Sequence, residues 1–139
     1  MFKNILVPID LAHDSSREAL DYAIPIAKSS GGRMILLNIQ VPVPPMVAQY
    51  LPEDHVSTAD NEAAQILSDI LTEKGIADIA SAKVRHGSVY HEVLGEAEDS
   101  KADLIVIASH HPELSDYLLG SNAASIVRHA DCSVLVLRT

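Results

Sequence analysis

Five short apolar runs divide the chain: Ile5-Leu6-Val7-Pro8-Ile9, Met34-Ile35-Leu36-Leu37, Ile79 to Val84, Leu104 to Ala108 and Val134-Leu135-Val136-Leu137. Each has the length of a strand. Four of the five are nearly continuous in apolar residues, the pattern of strands buried on both faces of a parallel sheet covered by helices. The third alternates Ile79, Ser81 and Lys83 with Ala80, Ala82 and Val84, and its partly polar face predicts an edge. The last is apolar on both faces. If it too lies at an edge, a second subunit is the economical cover.

Helical patterns fill the intervals. The first starts at Ser15 with Glu18 at capping-box spacing, carries Leu20, Ala23, Ile24 and Ala27 as a stripe, and stops at Gly31-Gly32. Pro25 inside it is expected to kink or loosen it. The second has Ser57 and Asp60 at capping-box spacing, the stripe Ala63, Ile66, Leu67, Ile70, Leu71, and a Lys74-Gly75 stop. The third follows Gly87-Ser88 with Val89, Val93, Leu94 and Ala97 on one face. The fourth follows Gly120-Ser121 with Ala123, Ile126, Val127 and Ala130 inward, and Arg128 and His129 in its last turn. Strict β-α alternation predicts an α/β fold with a parallel sheet and right-handed crossovers. The segment Gln40 to Asp54, with Pro42, Pro44, Pro45 and Pro52, is expected to form no regular element. Its Met46, Val47, Tyr50 and Leu51 are candidates to pack over a site or against another subunit.

A chain of 139 residues, 47% hydrophobic and 21% charged, has the length of one domain spanning 1–139 and the composition of an ordinary globular protein rather than a disordered or fibrous one. No apolar run is long enough for a membrane span. Met1-Phe2-Lys3-Asn4 has no signal-peptide layout, which predicts a cytoplasmic protein. The single cysteine, Cys132, forms no internal disulfide and reads as a packed side chain. Ten basic against nineteen acidic residues give a net charge of −9, which argues against nucleic-acid binding and leaves open a small anion held by backbone N–H groups.

In an open parallel sheet, ligands bind beyond the carboxyl ends of the strands where the strand order reverses. Two such ends carry suggestive chemistry. The first strand ends in Pro8-Ile9-Asp10, and the fourth in Ala108-Ser109-His110-His111-Pro112, leading to Gly120-Ser121-Asn122 at a helix start. A glycine and a hydroxyl at a helix N-terminus make a phosphate site, but equally an ordinary cap. Asp10 is either an acceptor for a ribose hydroxyl, an adenine amino group or Mg²⁺-bound water, or the cap of a turn. The adjacent His110 and His111, and His86 and His91, show no metal-ligand spacing; His110 or His111 could touch a phosphate. No nucleophile elbow, P-loop, zinc-protease or kinase motif occurs.

Ile5 to Asp10, Gly87-Ser88, Ala102 to Ile107, Leu118-Leu119-Gly120-Ser121, Arg128-His129-Ala130 and Val134 to Val136 together resemble the universal stress proteins of the UspA superfamily, over essentially the whole chain in order. The stretch Ser109-His110-His111-Pro112 with Tyr117 to Ala124 looks like the F/G-type bacterial subgroup. The resemblance implies a Rossmann-like, five-stranded parallel sheet of order 3-2-1-4-5 with helices on both faces, dimerising through the last strand and binding ATP at the switch point. The family's G-x₂-G-x₉-G-[ST] motif falls on Ala108, His111 and Gly120-Ser121, with two glycines replaced and eight residues before Gly120. Ala and His restrict the close backbone approach that glycine permits. By that resemblance Pro8, Ile9, Asp10 and Ile39 would meet adenine and ribose, with Ile107 and Ala108 nearby. Ser109, His110 and His111 would face the phosphates, and Gly120, Ser121, Asn122 and Ala123 would bind them, with Mg²⁺ riding on the phosphates. The expected role is an ATP-, ADP- or AMP-binding regulatory protein acting as a dimer or tetramer, whose contacts with a regulatory protein partner respond to nucleotide. The alternatives are a nucleotide-free interaction module, and a slow ATPase or self-phosphorylating protein.

Overall fold

The computed structural model describes residues 1–12, 15–109 and 120–138. Its elements, in chain order, are β1 (Asn4–Pro8), α1 (Ser15–Ser30), β2 (Arg33–Gln40), α2 (Pro45–Ala48), α3 (His55–Glu73), β3 (Ala80–His86), α4 (Val89–Asp99), β4 (Leu104–Ser109), α5 (Ser121–His129) and β5 (Ser133–Arg138). The five strands form one parallel sheet in the order β3-β2-β1-β4-β5. The chain winds outward from β1 to β3, returns to the other side of β1, and winds outward again. The reversal lies between β1 and β4.

The alternating side chains of the central strands build two cores. Ile5, Val7, Met34, Leu36, Leu104 and Val106 pack with Ala19, Leu20, Ala23 and Ala27 of α1 and with Leu67 and Ile70 of α3. On the other face, Leu6, Leu37, Ile105 and Ile107 pack with Val93 of α4 and Ala123 and Ile126 of α5. This is why the central runs read as unbroken apolar stretches: each strand has no solvent face. At about 25 cal/mol per Å², each fully buried Leu or Ile contributes roughly 2 kcal/mol before its entropy cost.

Several boundaries differ from those the sequence predicts. A single helical turn, α2, forms inside the proline-rich segment. Pro45 stands in its first turn, where a missing N–H costs nothing and the fixed φ favours a helix start. α3 begins at His55, two residues before Ser57, with Asp54 as N-cap and no side-chain capping bond; the Ser57 hydroxyl instead donates to the Asp54 carbonyl. β3 runs on to His86 because its register against β2 extends to Gln40. α1 passes through Pro25 without interruption. Pro25 and Asp21, whose carbonyl it leaves unpaired, are both exposed, so water can take the lost bond. Gly31 and Gly75 adopt φ of +65° and +66°, the left-handed stop that the sequence predicts for α1 and α3. Val127, expected inward, is 45% exposed.

α4 meets β3 through charge rather than through an apolar face. Arg85 donates from Nε to Glu92 at 3.0 Å, and from Nη1 to Glu96 and Asp99 at 3.1 Å each. Lys83 Nζ reaches the second Glu96 oxygen at 3.1 Å. Glu96 is only 2% exposed, and Gly95 leaves the room: a Cβ there would lie 2.8 Å from Arg85 Nη2. Hydrogen bonds to Glu92 first, then Asp99, push the Arg85 pKa further above its ordinary value.

Candidate functional site

The crevice at the switch point follows from how β1 and β4 are joined. At their N-terminal ends the Asp103 carboxylate accepts the backbone N–H groups of Lys3 at 2.8 Å and Asn4 at 3.1 Å, while the Asp103 N–H donates to the Asn4 carbonyl. The ladder then pairs Ile5 with Leu104 and Leu6 with Ile105 and goes no further, although β1 continues to Pro8 and β4 to Ser109. Beyond Leu6, β1 stays with β2: Val7 and Pro8 keep their register, and the Ile9 N–H donates to the Leu37 carbonyl at 2.7 Å. β4 stays with β5 as far as the Ser109–Arg138 position. The two central strands, clamped at one end, part at the other.

One wall of the parting is a pinned turn. The Ile9 carbonyl accepts Nδ2 of Asn38 at 2.9 Å, and Asn38, 4% exposed, also accepts Nε2 of Gln40. The Ser16 hydroxyl accepts the Asp10 N–H at 2.9 Å and donates to the Asp10 carbonyl at 3.0 Å. Asp10 Oδ1 accepts the Ala12 N–H at 2.9 Å, so its carboxylate serves a local turn while standing exposed at the mouth. The Ile9 side chain is buried in the α1/α3 core and Ile107 in the α4/α5 core. These two anchor the strand ends in the opposite cores, and Pro8, Ile39, Ala108 and Ser109 are half-buried at the same end of the sheet.

The other wall is the start of α5. Gly120 is its N-cap, extended at φ −59° and ψ 154°, with no side-chain cap bond. The first helical bond is the Ala124 N–H to the Gly120 carbonyl. Among the described residues no side chain takes the N–H groups of Ser121, Asn122 and Ala123, and these orphan donors carry the positive end of the helix dipole. The Gly120 N–H reaches the Ser109 hydroxyl at 3.4 Å, a long bond that joins the end of β4 to the helix start. Such an array takes an anion.

The structure thus brings Pro8, Ile9, Asp10, Ile39, Ile107, Ala108, Ser109, Gly120, Ser121, Asn122 and Ala123 to one end of the sheet, with the Ile9 and Ile107 side chains buried in the two cores. His110 and His111 lie outside the described residues. Asn38, which holds the Ile9 peptide, and Arg138, in register beside Ser109, were not singled out from the sequence. Arg138 is signalled only as a cation closing an apolar strand. His86 Nε2 lies 2.8 Å from Asp60, joining β3 to α3. Cys132 packs against the α4/α5 core; burial, then the carboxylates of Asp103 and Asp131, push its thiol pKa up, which opposes thiolate formation. Among the described residues no three His, Cys, Asp or Glu side chains converge as a metal site, and no described helix is long and apolar enough to cross a membrane.

A doubly wound parallel sheet, parted at its switch point beside an uncapped helix start, defines a Rossmann-like α/β protein. The chain belongs to the universal stress protein family, whose model matches residues 1–138. Universal stress protein G of Escherichia coli O157:H7 is 33% identical over 146 residues, covering 99% of this chain and 100% of that one. Among solved structures, the hypothetical protein MJ0577 superposes with a TM-score of 0.82 at 23% identity, covering 100% of this chain and 97% of its own. A universal stress protein in complex with cAMP superposes with a TM-score of 0.69 at 25% identity, covering 99% and 98%.

Proposed function

We propose that this chain is an adenine-nucleotide-binding regulatory protein of the cytoplasm, acting as a homo-oligomer whose partner contacts respond to the bound nucleotide. The parting of β1 and β4 beside the uncapped start of α5 carries the reading. The donor set suits the ligand: the N–H groups of Ser121, Asn122 and Ala123 for phosphates, Asp10 for a ribose hydroxyl, and the half-buried Pro8 and Ile39 for the flat face of adenine. Mg²⁺ would ride on the phosphate oxygens. A structural neighbour solved with cAMP supports the adenine class. The half-exposed apolar positions of β5, Val134 to Leu137, support self-association along that edge.

The test begins with the small molecules released on denaturing the purified protein, separated by ion exchange, followed by calorimetry with Mg-ATP, ADP and AMP. Ser121→Glu is the informative variant. A carboxylate in the first turn favours the helix by a few tenths of a kcal/mol and repels a phosphate. Affinity for Mg-ATP should fall at least about tenfold with no loss of thermal stability. Unchanged affinity in Ser121→Glu, or an empty protein that binds none of the three nucleotides, would overturn the assignment and favour a nucleotide-free interaction module.

A further inference from the structure

Eleven large apolar side chains are exposed among the described residues, and seven of them fall between Val41 and Val56, with Met46 and Tyr50 the most open at 77% and 83%. α2, in the middle of this segment, buries none of its residues. The segment nonetheless has a defined backbone. The Val47 and Ala48 N–H groups donate to the Pro44 carbonyl, Tyr50 to Val47, Leu51 to Ala48 and His55 to Pro52. One helical turn has no stability of its own in water; here Pro44 and Pro45 fix two of its φ angles in advance. Apolar side chains are therefore displayed in a set arrangement with none of the described residues covering them, at low further entropy cost to a partner.

Charge selects the partner. From Met34 to Glu73 the sequence contains no Lys or Arg and six carboxylates, of which Glu53 and Asp54 lie inside the exposed segment. A second copy would bring the same carboxylates against them, and an anionic membrane or a nucleic acid would add more negative charge. We propose that Val41 to Val56 is a docking surface for an amphipathic segment of another protein, apolar on one face and rich in Lys or Arg beside it. Met46 and Tyr50 supply the adaptable apolar centre, and Glu53 and Asp54 the acidic rim.

The probe is a fluorescent amphipathic Leu/Lys peptide of roughly 18 residues, five helical turns, with a Leu/Glu peptide and a Lys/Gln peptide as controls. Binding to the full chain is read by anisotropy at about 0.15 M salt. The Leu/Lys peptide should bind and both controls should not. Met46→Ser combined with Tyr50→Ser, which leaves every charge in place, should weaken binding at least about tenfold with an unchanged melting temperature. Glu53→Gln with Asp54→Asn should weaken it less and flatten its salt dependence. Equal binding to the Met46/Tyr50 variant, equal binding of the Leu/Glu or Lys/Gln peptide, or binding to vesicles that the variant abolishes would overturn the proposal. So would self-association in sedimentation that the same variant removes, since a second copy would then be the occupant.

Discussion

The two edges of the sheet are built for different neighbours. At the β3 edge, Ser81 and Lys83 are exposed, and the face toward α4 holds Arg85 and Lys83 against Glu92, Glu96 and Asp99. A lysine on an edge strand discourages a second strand from pairing. At the β5 edge the pattern inverts: Val134, Leu135, Val136 and Leu137 are all half-buried, and only the end residues Ser133 and Arg138 are open. On the face that α4 and α5 share, α5 meets the sheet by apolar contact, while ion pairs from Lys83 and Arg85 tie the β3 edge to α4. One edge is closed within the chain by charge, and the other keeps half-exposed apolar side chains, as the proposed self-association requires.

The sharpest break of this contrast is Arg85→Met. It leaves Glu96, almost fully buried, with Lys83 as its remaining cation, and unfolding by denaturant should show a loss of about 3 kcal/mol. Replacing Glu96 by Leu in the same chain should recover most of that loss, because the desolvated charge goes with its partner. Arg85 has its pKa raised in the folded chain, so its contribution is complete at every pH below the ordinary arginine value and fades only above it. The difference between the native protein and Arg85→Met should therefore not shrink through deprotonation of Arg85 across the neutral and moderately alkaline range.

Next in size is Val136→Lys on the other edge. Sedimentation equilibrium should show the subunit dissociation constant rising by about thirtyfold, roughly 2 kcal/mol, whereas Ser81→Lys on β3 should leave the mass unchanged. Equal effects of the two would erase the distinction between the edges. The smallest effect is a coupling. Gly95→Ala should cost about 1 kcal/mol, because the new methyl displaces a guanidinium held by three carboxylates. In the Arg85→Met background the same change should be neutral or favourable by up to about 1 kcal/mol, because only helix propensity remains.

Much of this molecule is readable from its pattern, for a physical reason. The strands and the four longer helices are fixed by short-range periodicity, and Gly31 and Gly75 stop α1 and α3 where a left-handed residue is required. The edge character of β3 follows from its polar alternation. What escaped is nonlocal or contrary to habit. Glu96 reads as a solvated helix residue because its two cations stand on a strand before it. Asn38 and Asp103 look like ordinary polar residues until the fold brings Ile9 and Lys3 to them. Proline, read as a breaker, started a helix at Pro45. In the candidate site, Asp10 and Gly120-Ser121 stand out because each follows a strand or opens a helix; no local signal marks Asn38, whose amide holds the Ile9 carbonyl just before Asp10.

The Asp103 clamp also sets an order of events during synthesis. β1 is the middle strand, yet the carboxylate that fastens its start lies 100 residues downstream of Lys3. At about 5–20 residues per second, a ribosome leaves β1 waiting roughly 5–20 s with one side open. The nascent half-sheet must survive that interval while it grows into a β1-β2-β3 unit covered by α1 and α3. The polar outer strand then protects one flank, and the unpaired edge of β1, closed to water in the finished protein, is the flank at which newly made chains are most exposed to misassembly.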